Sequence, residues 1–121
     1  MKILVVEDTI TMRHIMLHML RTLGYEDVEE AVDGCHALEL ISKQKIDLVI
    51  TDMNMPKMDG FKLLQTIKAD PQLAHIPVMM VTCDADKDNI QLAMAAKVAG
   101  FIIKPFNLGT LEKQLKKVLK A

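Results

Sequence analysis

Five short apolar runs punctuate the chain: Ile3–Val6, Val28–Ala31, Leu48–Thr51, Val78–Thr82 and Phe101–Ile103. Runs such as Ile3-Leu4-Val5-Val6 lack the polar alternation of a strand with one wet face, so they predict parallel strands covered on both sides. Between them the apolar positions recur at helical spacing. Ile15, Met16, Met19, Leu20 and Leu23 form one stripe, closed by Gly24 as a helix stop. Ala37, Leu38 and Ile41 form a shorter stripe after Asp33-Gly34. Phe61, Leu64 and Ile67 follow Asp59-Gly60, and that segment stops before Asp70-Pro71, because a residue preceding proline avoids the helical region. Ile90, Ala93, Met94 and Val98 mark a fourth helix. Leu108, Leu111, Leu115, Val118 and Leu119 mark a fifth, with Lys113, Lys116, Lys117 and Lys120 turned outward.

This (βα)5 alternation predicts an α/β fold: a doubly wound, open parallel five-stranded sheet with helices on both faces. Such sheets bind ligands at the carboxyl ends of their strands, which makes the residues after each run the candidates. The first run ends in Glu7-Asp8, the third in Thr51-Asp52, the fourth in Thr82 and the fifth in Lys104-Pro105. On one rim these residues predict a pocket of three carboxylates, a hydroxyl and an ammonium. Crowded carboxylates repel and need a compensating charge. Hard oxygen ligands suit Mg²⁺, which also neutralises an incoming phosphoryl group. An aspartate can act as nucleophile and form an acyl phosphate. Lys104 can bind phosphate oxygens as a point charge, and Thr82 can donate a hydrogen bond to them. Taken singly, each aspartate reads as a helix cap or a solvated loop residue, and Lys104 as a solvated lysine before a turn proline. Matched chemistry at four strand ends, in chain order, favours the site.

Composition narrows the setting. The length of 121 residues suits one domain over 1–121 with no output domain, and half of the residues are apolar, as in ordinary globular proteins. A formal net charge of −1 gives no general attraction to nucleic acid or acidic membranes. Glu7 and Asp8 arrive too soon for a secretory signal, and no apolar run approaches membrane-spanning length. Cys35 and Cys83 lie far apart without metal-type spacing, as free thiols of a cytoplasmic protein do.

The residues form a recognisable set: Ile3-Leu4-Val5-Val6-Glu7-Asp8, Ala31-Val32-Asp33-Gly34 with Ala37-Leu38, Asp47-Leu48-Val49, Thr51-Asp52-Met53-Asn54-Met55-Pro56, Met58-Asp59-Gly60, Pro77-Val78 with Val81-Thr82, and Lys104-Pro105-Phe106. In that order and spacing the chain resembles, over essentially its whole length, the response-regulator receiver family, closest to its stand-alone chemotaxis (CheY-like) type. The resemblance implies strand order 2-1-3-4-5. It implies Asp52 as phosphoacceptor, with Thr82 and Lys104 holding the phosphoryl group. Mg²⁺ would be bound by Asp8 directly, by Glu7 through water, by Asp52, and by the main-chain carbonyl of Asn54. Thr82 and Phe101 would form a switch that reshapes the face of the fourth helix, fifth strand and fifth helix, with Gln91, Lys97, Phe101, Phe106 and Lys116 as contact residues. The implied partners are a histidine kinase as phosphodonor, a target protein such as a flagellar motor component, and a phosphatase. The implied molecule is a monomeric switch protein of a two-component system, not an enzyme.

Three positions depart from the family pattern. Phe101 replaces a common tyrosine, and plain core burial competes with the switching role. Cys83 stands beside the pocket where alanine or glycine is usual; its bulk would narrow access, and the favoured reading is a packed, inert thiol. Lys97 stands where a helix-ending glycine is usual; a left-handed non-glycine costs on the order of 1–2 kcal/mol, which leaves the fourth helix open to a different ending. A phosphorelay intermediate and a degenerate receiver used as a binding module are the alternatives within this class. A small aspartyl-phosphate phosphatase is disfavoured, because Asn54 cannot be the general acid two residues beyond the nucleophile. His14 and His18 are spaced i, i+4, but Ile15 replaces the glutamate of a metalloprotease helix, so they read as an exposed helix face.

Overall fold

The computed structural model describes residues 1–83 and 86–120. The elements alternate as β1 (Ile3–Val6), α1 (Ile10–Thr22), β2 (Val28–Ala31), α2 (Gly34–Lys43), β3 (Leu48–Asp52), α3 (Gly60–Ala69), β4 (Val78–Thr82), α4 (Lys87–Ala95), β5 (Gly100–Ile103) and α5 (Leu108–Lys120). All strand pairs are parallel, in the order β2-β1-β3-β4-β5. The expected doubly wound architecture is therefore present. β3 runs one residue past its apolar run, to Asp52, and β5 starts one earlier, at Gly100.

Side-chain alternation divides the core between the two faces of the sheet. Leu4, Val6, Val49, Val78 and Met80 pack with Ala37 and Ile41 of α2, Leu63, Leu64 and Ile67 of α3, and Ala93 of α4. Ile3, Val5, Leu48, Ile50, Met79, Val81 and Ile102 pack with Met16 and Leu20 of α1 and Leu111, Leu115 and Val118 of α5. Both faces being covered is the reason the strands read as unbroken apolar runs. Edge strand β2, Val-Glu-Glu-Ala, is the least apolar, and its Glu30 is exposed.

The two Asp-Gly pairs start α2 and α3. Asp33 and Asp59 accept hydrogen bonds from the His36 and Lys62 N–H groups, capping α2 and α3. Gly60 lets α3 begin against the end of β3: its N–H donates to the Met53 carbonyl at 2.9 Å, and a Cβ there would collide with the Asp52 carbonyl oxygen.

Helix α1 closes as the sequence predicts. Tyr25 N–H donates to Leu20 O and Gly24 N–H to Arg21 O, with Gly24 at φ 97°. Helix α4 closes by the same pair of bonds, from Val98 N–H to Ala93 O and from Lys97 N–H to Met94 O, with Lys97 itself at φ 67°. The unusual lysine therefore does not change how α4 ends; the left-handed conformation is kept without a glycine.

Two expectations need adjustment. Cys83 is exposed, not packed, because it stands one residue beyond β4 where the chain leaves the sheet. Ile15 is 43% exposed while Met16 and Leu20 are buried, so the core stripe of α1 is narrower than its apolar pattern. Lys113, Lys116 and Lys117 are exposed on α5, as expected; the side chain of Lys120 lies outside the described residues. Among the described residues no helix is long and apolar enough to cross a membrane.

Candidate functional site

The strand register decides which residues share the carboxyl rim. Val6 is level with Thr51, Asp52 with Val81, and Thr82 with Ile103. Glu7 and Asp52 therefore emerge side by side, and the rim climbs one residue to Thr82 and one more to Lys104. The Lys104 N–H donates to the Thr82 carbonyl at 2.8 Å, which ties the last two together through the main chain.

Alternation then sorts these residues by face. Glu7, Asp52 and Lys104 continue the rows of Val5, Ile50 and Ile102 and project to the α1/α5 side. There they line a cavity of about 210 Å³ together with Met12, Met16, Met19 and Phe106. Thr82 continues the row of Val78 and Met80 to the opposite face and is fully buried. Glu7, Asp52 and Lys104 thus line this cavity, whereas Thr82, one residue above Val81 on the same rim, is not among its lining residues. Asn54 is exposed and lines a second hollow of about 150 Å³ with Met53, Asp59, Phe61, Asn89 and Leu92.

Electrostatics are concentrated on the α1/α5 side. The Lys104 ammonium lies 2.9 Å from Glu7 Oε1 and 3.7 Å from Asp52 Oδ2. Glu7 is only 6% exposed, and its Oε2 has no hydrogen-bond partner among the described residues. Burial pushes the Glu7 carboxyl above its ordinary value of 4.5; the Lys104 hydrogen bond opposes the rise and the Asp52 charge adds to it. Asp52 Oδ1 accepts from the Met53 N–H at 2.8 Å. Glu7, Asp8 and Asp52 each offer a carboxylate oxygen within 4.8 Å of the others. Three hard oxygen donors, one with a buried unpaired oxygen beside it, fit a small divalent cation.

Arg13 is a neighbour that motif reading misses. Its Nη1 donates to the Glu7 carbonyl at 2.8 Å and its Nε to Glu30 Oε1 at 2.9 Å. In the sequence it is only a charge within an amphipathic helix. Phe101 is half-buried in the α2/α3/α4 cluster beside Ala96 and Val98, whereas Phe106 packs on the α1/α5 side. Phe101 and Phe106 therefore pack against different core clusters. Gln91, Lys97 and Lys116 are exposed, and Leu92, Met94 and Ile103 add exposed apolar area on α4 and β5 that the sequence did not signal.

Comparison with known proteins bears on this geometry. The family model described as response regulator receiver domain matches residues 3–116. The chemotaxis protein CheY-3 of Vibrio cholerae is 46% identical over 120 residues, which span 99% of this chain and 92% of that protein. The structure of chemotaxis protein CheY4 of Vibrio cholerae superposes with a TM-score of 0.88 at 37% identity, covering 97% of each chain. The receiver domain of sensor histidine kinase PA1611 from Pseudomonas aeruginosa, solved with a magnesium ion coordinated in its active-site cleft, gives a TM-score of 0.88 at 27% identity, covering 99% and 98%.

Proposed function

The chain belongs to the response-regulator receiver domain family, and on that premise we propose that it accepts a phosphoryl group on Asp52 from a histidine kinase and signals through its α4–β5–α5 face to a target protein in chemotaxis. The observation that carries this reading is the Lys104 ammonium held between Glu7 and Asp52 at the edge of a three-carboxylate cluster.

Asp52 Oδ1 is engaged by the Met53 N–H, so Oδ2, on the Lys104 side, is the oxygen placed to attack. Its lone pair forms the new P–O bond while the P–N bond of a phosphohistidine, protonated at its other nitrogen, breaks. The bonding pair goes to the leaving nitrogen and the imidazole departs neutral. Oδ1 becomes the carbonyl oxygen of the mixed anhydride and keeps the Met53 N–H, a fixed dipole on the charge that develops there. Lys104 turns from Glu7 to the phosphoryl oxygens. Mg²⁺, when bound, spreads the charge of the transferring group; Glu7, Asp8, Asp52 and the Asn54 carbonyl are the groups that would hold it.

Thr82, fully buried at the end of β4, moves toward the phosphoryl group, and the half-buried Phe101 on the neighbouring strand turns inward. The change then emerges at α4 and β5, where a target reads it. The protein is a monomeric switch whose only chemistry is on itself, with a separate phosphatase as a further partner. Intact mass after incubation with acetyl phosphate and Mg²⁺ tests the reading. The wild type gains one phosphoryl group and Asp52→Asn gains none; a full-yield adduct on that variant overturns the assignment.

A further inference from the structure

The acidic pair depends on a peptide that the sheet does not finish. Glu7 N–H still donates to the Ala31 carbonyl at 3.0 Å, but Asp8 lies beyond the paired residues and is exposed. The Glu7 carbonyl, which belongs to the peptide joining Glu7 to Asp8, is held from outside the sheet by Arg13 Nη1 at 2.8 Å. The same guanidinium anchors itself through Nε to Glu30 Oε1 at 2.9 Å, and its side chain is only 12% exposed. A peptide is planar, so fixing its carbonyl also fixes the direction in which the Asp8 Cα leaves it. A two-pronged guanidinium suits this, because its donors sit in a rigid fork.

We propose that Arg13 is a positioning residue for the cation site: clamped to Glu30, it holds the Glu7–Asp8 peptide so that both carboxylates meet Asp52 at cation-binding separation. The proposal rests on the reading of this cluster as a Mg²⁺ site. It makes an unusual prediction of sign. A bare positive charge near a cation site opposes binding, so loss of Arg13 as a mere charge would tighten Mg²⁺. Loss of a clamp weakens it. Groups that orient metal ligands are typically worth 10–100-fold in affinity. Arg13 holds the main chain between two ligands, not a ligand itself, so about tenfold is the expected effect.

The test is Mg²⁺ titration of wild type, Arg13→Ala, Arg13→Lys and Glu30→Gln at constant ionic strength, followed by amide NMR shifts, with thermal melts in metal-free buffer alongside. Arg13→Ala and Arg13→Lys are both expected to bind about tenfold more weakly. Lysine keeps the charge but cannot span the Glu7 carbonyl and Glu30 with one planar fork. Glu30→Gln, whose amide oxygen still accepts from Nε, stays near wild type. Unchanged or tighter binding in the Arg13 variants overturns the clamp, as does a lowered melting temperature with an unchanged Mg²⁺ affinity, which would make Arg13 merely structural. If Arg13→Ala does not fold, the affinity of Arg13→Lys decides between clamp and charge. A wild type that binds no Mg²⁺ overturns the cation site and the clamp together; a binding wild type with unaffected Arg13 variants overturns the clamp alone.

Discussion

Glu7 places one carboxylate oxygen 2.9 Å from Lys104 and leaves the other buried without a hydrogen-bond partner among the described residues. Its folded-state pKa lies above the ordinary 4.5, chiefly through burial. Between 4.5 and that raised value the folded protein holds a proton that the unfolded chain has lost, so the stability present below 4.5 is lost as the pH rises through the raised value. In metal-free buffer Glu7→Gln, which keeps an acceptor for Lys104, is expected to melt higher than wild type at neutral pH. The gap should close as the pH drops toward 4.5, and melting curves between about pH 4 and pH 8 read it directly. A gap that widens toward acid would contradict the burial account. Gly60 offers a second residue-scale case. Gly60→Ala pushes a methyl into the Asp52 carbonyl, so a loss of about 1–3 kcal/mol in urea unfolding is expected, with slower adduct formation at Asp52. The Asp59-Gly60 pair was legible as a helix start, since capping is local chemistry. The collision with Asp52 was not, because it depends on where α3 returns to β3.

Helices α1 and α4 end by the same two hydrogen bonds, yet one has Gly24 and the other Lys97 at the left-handed position. The same backbone with a different residue makes a controlled comparison. Lys97→Gly should stabilise the protein by about 1 kcal/mol, and Gly24→Ala should destabilise it by a similar amount. Urea midpoints with unchanged slopes would measure both. A neutral Lys97→Gly would mean that the lysine side chain offsets its own backbone strain. Helix α4 also illustrates where pattern reading stops. Its apolar residues include Leu92 and Met94, which are 51% and 56% exposed, while Ala93 between them is buried. Spacing identifies a helix, but which arc faces the sheet is decided by how closely it approaches the strands. Small Ala93 is the residue that permits that approach.

Across the whole molecule, the carboxylate cluster and the half-buried Phe101 lie on different faces of one sheet. Glu7, Asp52 and Lys104 line the cavity beside α1, while Phe101 packs against the α2/α3/α4 cluster and Thr82 is fully buried at the end of β4. The Lys104 N–H to Thr82 carbonyl bond is a main-chain link between the two sides. Beryllofluoride with Mg²⁺ should therefore shift amide NMR signals of α4 and β5 in the wild type. In Thr82→Ala the shifts should be confined to the Asp52 rim, although Asp52 still takes up a phosphoryl group. A target that prefers the switched state by about 1.4 kcal/mol would already discriminate tenfold. Shifts reaching α4 in Thr82→Ala would place the coupling elsewhere. The order of elements, the parallel sheet and the strand-end residues were determined by the sequence alone, because apolar periodicity and cap chemistry are local and each strand end carries its own signature. Only the tertiary structure decided that β4 is offset by one residue, so that Val81 and not Thr82 is level with Asp52; that Lys104 closes on Glu7 at 2.9 Å; and that Arg13 reaches the Glu7 carbonyl. The first two couple residues far apart in the chain through strand register, and the third depends on how α1 packs back on β1; no local pattern encodes either.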